Sequence, residues 1–385
     1  MTQEGDARSP VVLQIIPRLA IGGAERAVID VARAAIEQGA RAMVVTEGGD
    51  LEPDLLRAKA EVVHMPVASK SPLTIQRNAN RLVDLIRDEG IDLVHVRSRA
   101  PAWSALKAAR RTGKPFLTTF HAPYNFANGL KKRYNAVMAR GDRVIAISDY
   151  IAQHVRENYG VGDDRLRRIH RGIDVVSFDP AAVSSERIVS LAAHWNLPDG
   201  VPVIMLPGRL ARWKGQHVMI RAMEQLERDA ICLLVGVGVG VGREGLRKEL
   251  ERDIVQRGLQ GRVVMIDGSQ DMPAAYRLAD VVVSASIEPE GFGRVAVEAQ
   301  AMGVPVVATN HGGAQETVEP GTTGWLVRPD DSSALSQAVA AALDLDVEAR
   351  VKLAARARAR TVELFSRTAM CKATLDVYRE LIDWP

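Results

Sequence analysis

Cysteine is nearly absent. Cys232 and Cys371 are the only two in 385 residues, and with no CxxC spacing between them a disulfide framework and a zinc ribbon are excluded, which fits a reducing, cytoplasmic setting. Long apolar runs are missing too. The longest, residues 230 to 242, is studded with glycine and falls far short of a bilayer span, so no membrane crossing is expected. The first ten residues, "MTQEGDARSP", are polar and carry acids, and the largely apolar segment after them is only six residues long before "PR", so no signal peptide is expected. Nor does one sign of charge dominate, the net being +3. Aromatics make up only 4%, which makes Phe292, set between Gly291 and Gly293 and flanked by Glu290 and Glu298, conspicuous.

What is present is the composition of a soluble globular protein, 47% apolar and 25% charged. The length exceeds one ordinary core and suits two domains. The charge, though balanced overall, is unevenly placed: residues 97 to 143 hold eleven Lys and Arg against one acid, Asp142, so this segment is +10 and the remainder −7. Such an excess is either a solvated face or a surface for an anionic partner.

Short β-branched runs alternate with amphipathic stretches. "VVLQII", "AMVVTE", "EVVHMP", "LVHV", "PFLTTF" and "RVIAIS" read as buried strands, and "AERAVIDVARAAIEQG" reads as a helix stopped at Gly39. The pattern lapses over residues 172 to 187, a linker around Pro180, and restarts with "PVIMLPG", "ICLLVG", "RVVMID", "DVVVSAS", "VPVVATN" and "GWLVRP". The expected fold class is α/β, with two doubly wound, Rossmann-like domains facing across a cleft and binding ligands at the carboxyl ends of their strands. The expected domains are 1–180, 181–365 and a C-terminal helical segment, 366–385, crossing back to the first.

The loop after "DVVVSAS" carries Glu290 to Gly293 and opens a helix at "RVAVEAQAMG". Backbone amides at Gly291 to Arg294 would meet an anion or sugar hydroxyls, and Glu290 and Glu298 would accept from a polyhydroxyl ligand. Spacing alone equally allows a solvated Glu290 and a Glu298 that merely favours the helix start. "PGRLARWKGQ" ends the first strand of the second domain and offers Gly208, Arg209 and Lys214. A guanidinium and an ammonium there can clamp a diphosphate, or be two exposed bases in a loop. "IGGAERAV" places Gly22 and Gly23 where helix-start amides could meet a phosphate or simply form a tight turn. His121 ends "PFLTTF" on a strand's carboxyl end.

"EGFGRVAVEAQAMGVPVVAT" resembles the two-glutamate signature of the retaining glycosyltransferases of family 4, which have the GT-B architecture. "GGAER", "TTFHA", "AISDYI", "RGID", "GRLARWKG" and "GGAQETV" agree in order over nearly the whole chain. The resemblance implies a nucleotide diphosphate sugar as donor, UDP favoured over GDP. It assigns Arg209 and Lys214 to the diphosphate, Glu298 to the ribose, Glu290 to the donor sugar, and His121 to a sugar hydroxyl near the anomeric centre. Gly22, Gly23, Gly208, Gly291, Phe292 and Gly293 complete the expected donor site. The acceptor would be a hydroxyl on a lipid-linked or lipopolysaccharide-type glycolipid. It would be presented at an anionic membrane face by the basic segment, with Arg97, Arg99, Trp103, Tyr124, Lys131, Lys132 and Arg133 on the acceptor or membrane side. No nucleic acid, cofactor or metal is expected, and the enzyme would be cytoplasmic and peripheral on the inner membrane face. "GVGVGVG" with Asp267 beyond it imitates a dinucleotide fingerprint and keeps a nicotinamide oxidoreductase open, and a GT-B nucleotide-sugar epimerase is a further alternative. "DLD" at 344 to 346 has a metal-binding spacing but falls between helices.

Overall fold

A computed structural model describes residues 8–20, 22–236, 238 and 244–384. Most of the glycine repeat, residues 237 and 239–242, therefore lies outside the described residues. The chain divides into two compact units, residues 1–172 with 367–385, and residues 173–366.

The first unit is built on a parallel sheet of seven strands: β1 (Val11–Ile15), β2 (Arg41–Thr46), β3 (Glu61–His64), β4 (Leu93–Val96), β5 (Phe116–Phe120), β6 (Arg143–Ala146) and β7 (Leu166–Arg168). The order β3-β2-β1-β4-β5-β6-β7 reverses direction between β1 and β4. β1, β4 and β5 are buried at every position, as strands covered by helices on both faces must be. β7 was not anticipated, because "LRR" is short and carries two cations at a sheet edge.

The C-terminal helix Arg367–Arg379 belongs to this unit. It is anchored by Tyr378, whose hydroxyl lies 2.8 Å from His95 Nδ1, inside the core. Just beyond it, Glu380 accepts from Arg143 at 2.6 Å and from Arg167 at 2.7 Å.

The second unit repeats the plan with β8 (Val203–Pro207), β9 (Ile231–Val235), β10 (Val263–Ile266), β11 (Val281–Ser284), β12 (Val306–Thr309) and β13 (Gly324–Val327), in the order β10-β9-β8-β11-β12-β13. The two-residue period of a strand sends Ile204, Leu206, Val281 and Val283 into one core layer and Val203, Met205 and Val282 into the other. Each such burial contributes roughly 1.5–3 kcal/mol.

Residues 173 to 180, expected with the first domain, pack in the second. Ile173 N donates to Phe365 O at 2.8 Å, the Phe178 ring meets Tyr276 at 5.9 Å, and Arg358 pairs with Asp179 at 2.5 Å. Proline and small polar residues mark a loop, but they do not say on which side it packs. The "DLD" acids have structural partners: Asp344 pairs with Arg228, and Asp346 caps the helix Val347–Phe365 by accepting from Ala349 N. Among the described residues no helix is long and apolar enough to cross a membrane.

Candidate functional site

In the second unit the strand order reverses between β8 and β11, and the loops that follow these two strands are sewn together. Ile287 N donates to Trp213 O at 2.7 Å, and the buried Gln216 amide donates to Arg209 O at 3.1 Å. At Gly215, with φ +73°, a Cβ would lie 1.9 Å from Ala285 O, so only glycine permits this approach.

The result brings Lys214 Nζ to 2.8 Å from Glu290 Oε1, with side chains 14% and 18% exposed. Ser286 Oγ donates to the same carboxylate oxygen. The Lys214 ammonium also lies 4.5 Å from the centroid of the Trp213 indole, and the Arg209 guanidinium 5.8 Å from that centroid. Arg209 is exposed and makes no ion pair among the described residues.

The loop carrying Glu290 is held from the side of β12. Gly313 N donates to Glu290 O at 2.9 Å. Side chains at Gly312 and Gly313 would collide with the backbone of Glu290 and Phe292, at 2.5 and 2.4 Å, which explains the glycine pair in "GGAQETV". His311 Nε2 lies 2.8 Å from Ser286 O. A carbonyl only accepts, so this nitrogen carries the proton. The Phe292 side chain is 3% exposed and packs edge-on against Phe365 at 5.5 Å, so what this residue offers a donor is its backbone. Its flanking glycines let the loop turn while the ring anchors it.

Glu298 sits in the helix Arg294–Ala301, one turn beyond Arg294, which pairs with its Oε1 at 2.8 Å. Its Oε2 accepts from the fully buried Tyr276 hydroxyl at 2.9 Å. Burial and the Glu298 charge push the Tyr276 phenol well above its ordinary pKa, so it stays a donor. Each carboxylate oxygen thus has one fixed protein partner and a lone pair to spare. Asp267, at the end of β10, pairs with Arg247 at 2.5 Å.

In the first unit His121 follows β5. Its Nδ1 lies 3.4 Å from Arg171 Nη1, and its Nε2 is covered with no hydrogen-bond partner among the described residues. Burial, then Arg171 and Arg97, hold this imidazole well below its ordinary pKa, so it is neutral. Gly22 caps the helix Gly23–Glu37, and the Glu25 carboxylate folds back over it.

The basic segment divides into buried and exposed parts, and several of its members are corrected. Arg97 is 4% exposed and turns onto β1, where its Nε and Nη2 donate to Gln14 Oε1 at 3.1 and 2.5 Å. Tyr124 is 8% exposed beneath the Arg99 guanidinium, 4.2 Å from the ring centroid, and Arg99 donates to Asn135 Oδ1 at 3.0 Å. The Trp103 indole donates to Tyr134 O at 3.2 Å and is covered by Arg140. Tyr124 and Trp103 thus spend their rings and the indole N–H on contacts within the unit. Lys131, Lys132 and Arg133 are exposed on the short helix Gly129–Asn135, capped by Asn128, beside Leu130. Trp213, Ser286, Tyr276 and His311 were not singled out from the sequence: Tyr276 and His311 act on residues distant along the chain, and the local pattern around Trp213 and Ser286 does not show that they meet Lys214 and Glu290.

Residues 190–360 match Glycosyl transferases group 1, and residues 21–176 match Glycosyltransferase Family 4. The D-inositol 3-phosphate glycosyltransferase of Nocardiopsis dassonvillei is 32% identical over 349 residues, 81% of this chain and 80% of that one. The chain belongs to the family 4, group 1 glycosyltransferases. This transferase shares its GT-B architecture with solved relatives. A glycosyltransferase of Rickettsia africae ESF-5 is 34% identical with a TM-score of 0.90, covering 97% of this chain and 99% of that one. Anabaena HepE, solved with UDP-glucose, is 25% identical with a TM-score of 0.84, covering 96% and 100%. A GDP-mannose-dependent monoacylated alpha-(1-6)-phosphatidylinositol monomannoside mannosyltransferase of Corynebacterium glutamicum is 29% identical over 300 residues, 74% of this chain and 75% of that one. The transferase family replaces the nicotinamide reading of the glycine repeat.

Proposed function

We propose that this transferase moves a sugar from a nucleotide diphosphate donor, UDP favoured over GDP, to a hydroxyl of a lipid-linked or lipopolysaccharide-type glycolipid, with retention and without a metal. The observation that carries the reading is the second unit's strand-end cluster. It combines Arg209, without an ion pair among the described residues, Lys214 on Glu290, and Glu298 with both oxygens oriented. The UDP-glucose found with HepE supports the uridine donor, while the GDP-mannose of the Corynebacterium relative is the competing base.

On this reading Glu298 accepts from the ribose hydroxyls and Glu290 from the sugar. As the bond between the anomeric carbon and the donor phosphate oxygen breaks, negative charge grows on the diphosphate, and Arg209 and Lys214 stabilise it. The acceptor oxygen bonds to the anomeric carbon from the same face, and its proton passes to the departing phosphate oxygen. The enzyme contributes orientation and charge. Neutral His121 serves as a hydrogen-bond partner for a sugar hydroxyl.

The acceptor side is the exposed helix Gly129–Asn135, where Lys131, Lys132 and Arg133 would face anionic headgroups on the inner membrane surface and Leu130 would enter the interface. Incubation with UDP-glucose, UDP-galactose and GDP-mannose in EDTA, with and without a glycolipid extract, tests the reading. An α-linked product seen by NMR supports it. A β-linked product contradicts retention, and donor conversion without acceptor indicates an epimerase.

A further inference from the structure

The clamp loop contains an aromatic group that touches both of its cations. The Trp213 indole is half-buried. The Lys214 ammonium lies 4.5 Å from its centroid and the Arg209 guanidinium 5.8 Å from it, both within cation–π range. The backbone that carries the ring is held, because the Trp213 carbonyl accepts from Ile287 N at 2.7 Å and Gly215 is pressed onto Ala285. Lys214 Nζ therefore has two neighbours of different kinds, a carboxylate at 2.8 Å and an aromatic face.

We propose that Trp213 is a positioning residue of the donor-phosphate site, whose indole face keeps Lys214 and Arg209 together while Lys214 exchanges Glu290 for the donor diphosphate. The inference rests on the reading that Arg209 and Lys214 clamp a diphosphate. Lysine is a compact charge on a flexible four-carbon stem, so an ammonium leaving Glu290 with nothing beside it would sample many rotamers. The ring offers attraction that does not depend on which anion is present, so the charge can pass from carboxylate to phosphate without being released to water. Glu290 then keeps the Ser286 hydroxyl on Oε1 and regains acceptor capacity for the sugar. Arrival of the diphosphate thus prepares the carboxylate that meets the sugar, which favours intact donor over free sugar.

The test uses inorganic pyrophosphate, which binds the clamp whatever the donor's base. Calorimetry on wild type, Trp213→Leu, Trp213→Phe and Arg209→Ala separates the possibilities, with thermal midpoints measured in parallel. Trp213→Leu should weaken pyrophosphate about tenfold, the size of one partly desolvated cation–π contact. Trp213→Phe should restore most of the affinity, and both variants should melt together, since Leu and Phe both keep an apolar group in the loop. In turnover, Trp213→Leu should lower kcat more than it raises KM for the nucleotide sugar. Equal pyrophosphate affinity in Trp213→Leu and wild type, with Arg209→Ala weakened, overturns the role of Trp213 and leaves the clamp standing. Equal loss in the Leu and Phe variants also overturns it, reducing the ring to packing. Unchanged affinity in Arg209→Ala, or no pyrophosphate binding to wild type, removes the clamp reading itself.

Discussion

Lys214 Nζ lies 2.8 Å from Glu290 Oε1, joining the loop after β8 to the loop after β11 across seventy-six positions of sequence. Both side chains are largely covered, so each needs the other until a ligand replaces it. Among the described residues, removing Lys214 leaves the Glu290 carboxylate with the Ser286 hydroxyl, and removing Arg209 takes away the clamp cation that makes no ion pair there. Arg209→Ala and Lys214→Ala are each expected to lower turnover about a hundredfold or more, as for loss of a preorganised charge contact in the transition state. Steady-state kinetics on purified variants check this, and near wild-type transfer in either removes the diphosphate assignment.

The two glutamates are expected to divide their labour. Tyr276 and Arg294 fix Glu298, so Glu298→Gln, and to a smaller degree Tyr276→Phe, should weaken the bare nucleotide diphosphate. Loss of one such hydrogen bond to a charged group is worth about 1.5–3 kcal/mol, or roughly ten- to a hundredfold in affinity. Glu290→Gln should instead lower turnover and leave bare-nucleotide affinity little changed. Calorimetry with UDP and GDP decides, and equal loss in Glu290→Gln and Glu298→Gln would contradict the division.

Acid sensitivity should arise in the first unit. His95 is fully buried between Tyr378 and Thr119, and burial, followed by Arg97 and His121, holds its pKa well below the ordinary 6.5. His121 is shifted the same way. Between the lowered folded pKa and the unfolded value the unfolded chain binds protons that the folded chain does not. Stability is therefore fully present above about pH 6.5 and falls as the pH drops below it, by up to about 1.4 kcal/mol per pH unit for each group. Denaturant unfolding between pH 8 and 5 should show this decline, and His95→Gln should flatten it. An equally steep decline in His95→Gln would assign the acid sensitivity elsewhere.

Much of the site could be read from the sequence, and what could not has a physical cause. Parallel strands buried on both faces announce themselves as apolar runs, so twelve of the described strands coincide with expected ones and only the cationic edge strand Leu166–Arg168 does not. "GRLARWKG" and "EGFGRVAVE" are local, and the backbone carries their residues to neighbouring strand ends. Depth is not local. Arg97 and Lys131 both look like members of one basic face, yet Arg97 follows a central strand and turns onto Gln14, while Lys131 stands on a surface helix. The sequence between the two glycines likewise does not show that the Phe292 ring packs against Phe365.

Charge reversal at Lys131, Lys132 and Arg133 is expected to release the protein from anionic vesicles. Each basic residue near such a surface is worth about 1 kcal/mol, so three reversals should abolish sedimentation at low salt. The reversed variant should still bind nucleotide, because these side chains belong to the first unit and the donor cluster to the second. Equal binding of wild type to neutral and anionic vesicles, or to neither, would rule out an electrostatic dock.

The central claim is a donor site for a nucleotide diphosphate at Arg209, Lys214 and Glu298, and thermal stability with bare nucleotides in EDTA tests it most directly. At a hundred times its dissociation constant a ligand stabilises the folded state by about 2.7 kcal/mol. Either UDP or GDP should raise the melting midpoint clearly, UDP being the one expected, while the matching nucleoside gives little. The shift should disappear in the Arg209→Ala, Lys214→Ala double variant. A midpoint unmoved by both diphosphates, or a full shift surviving in the double variant, would contradict the claim.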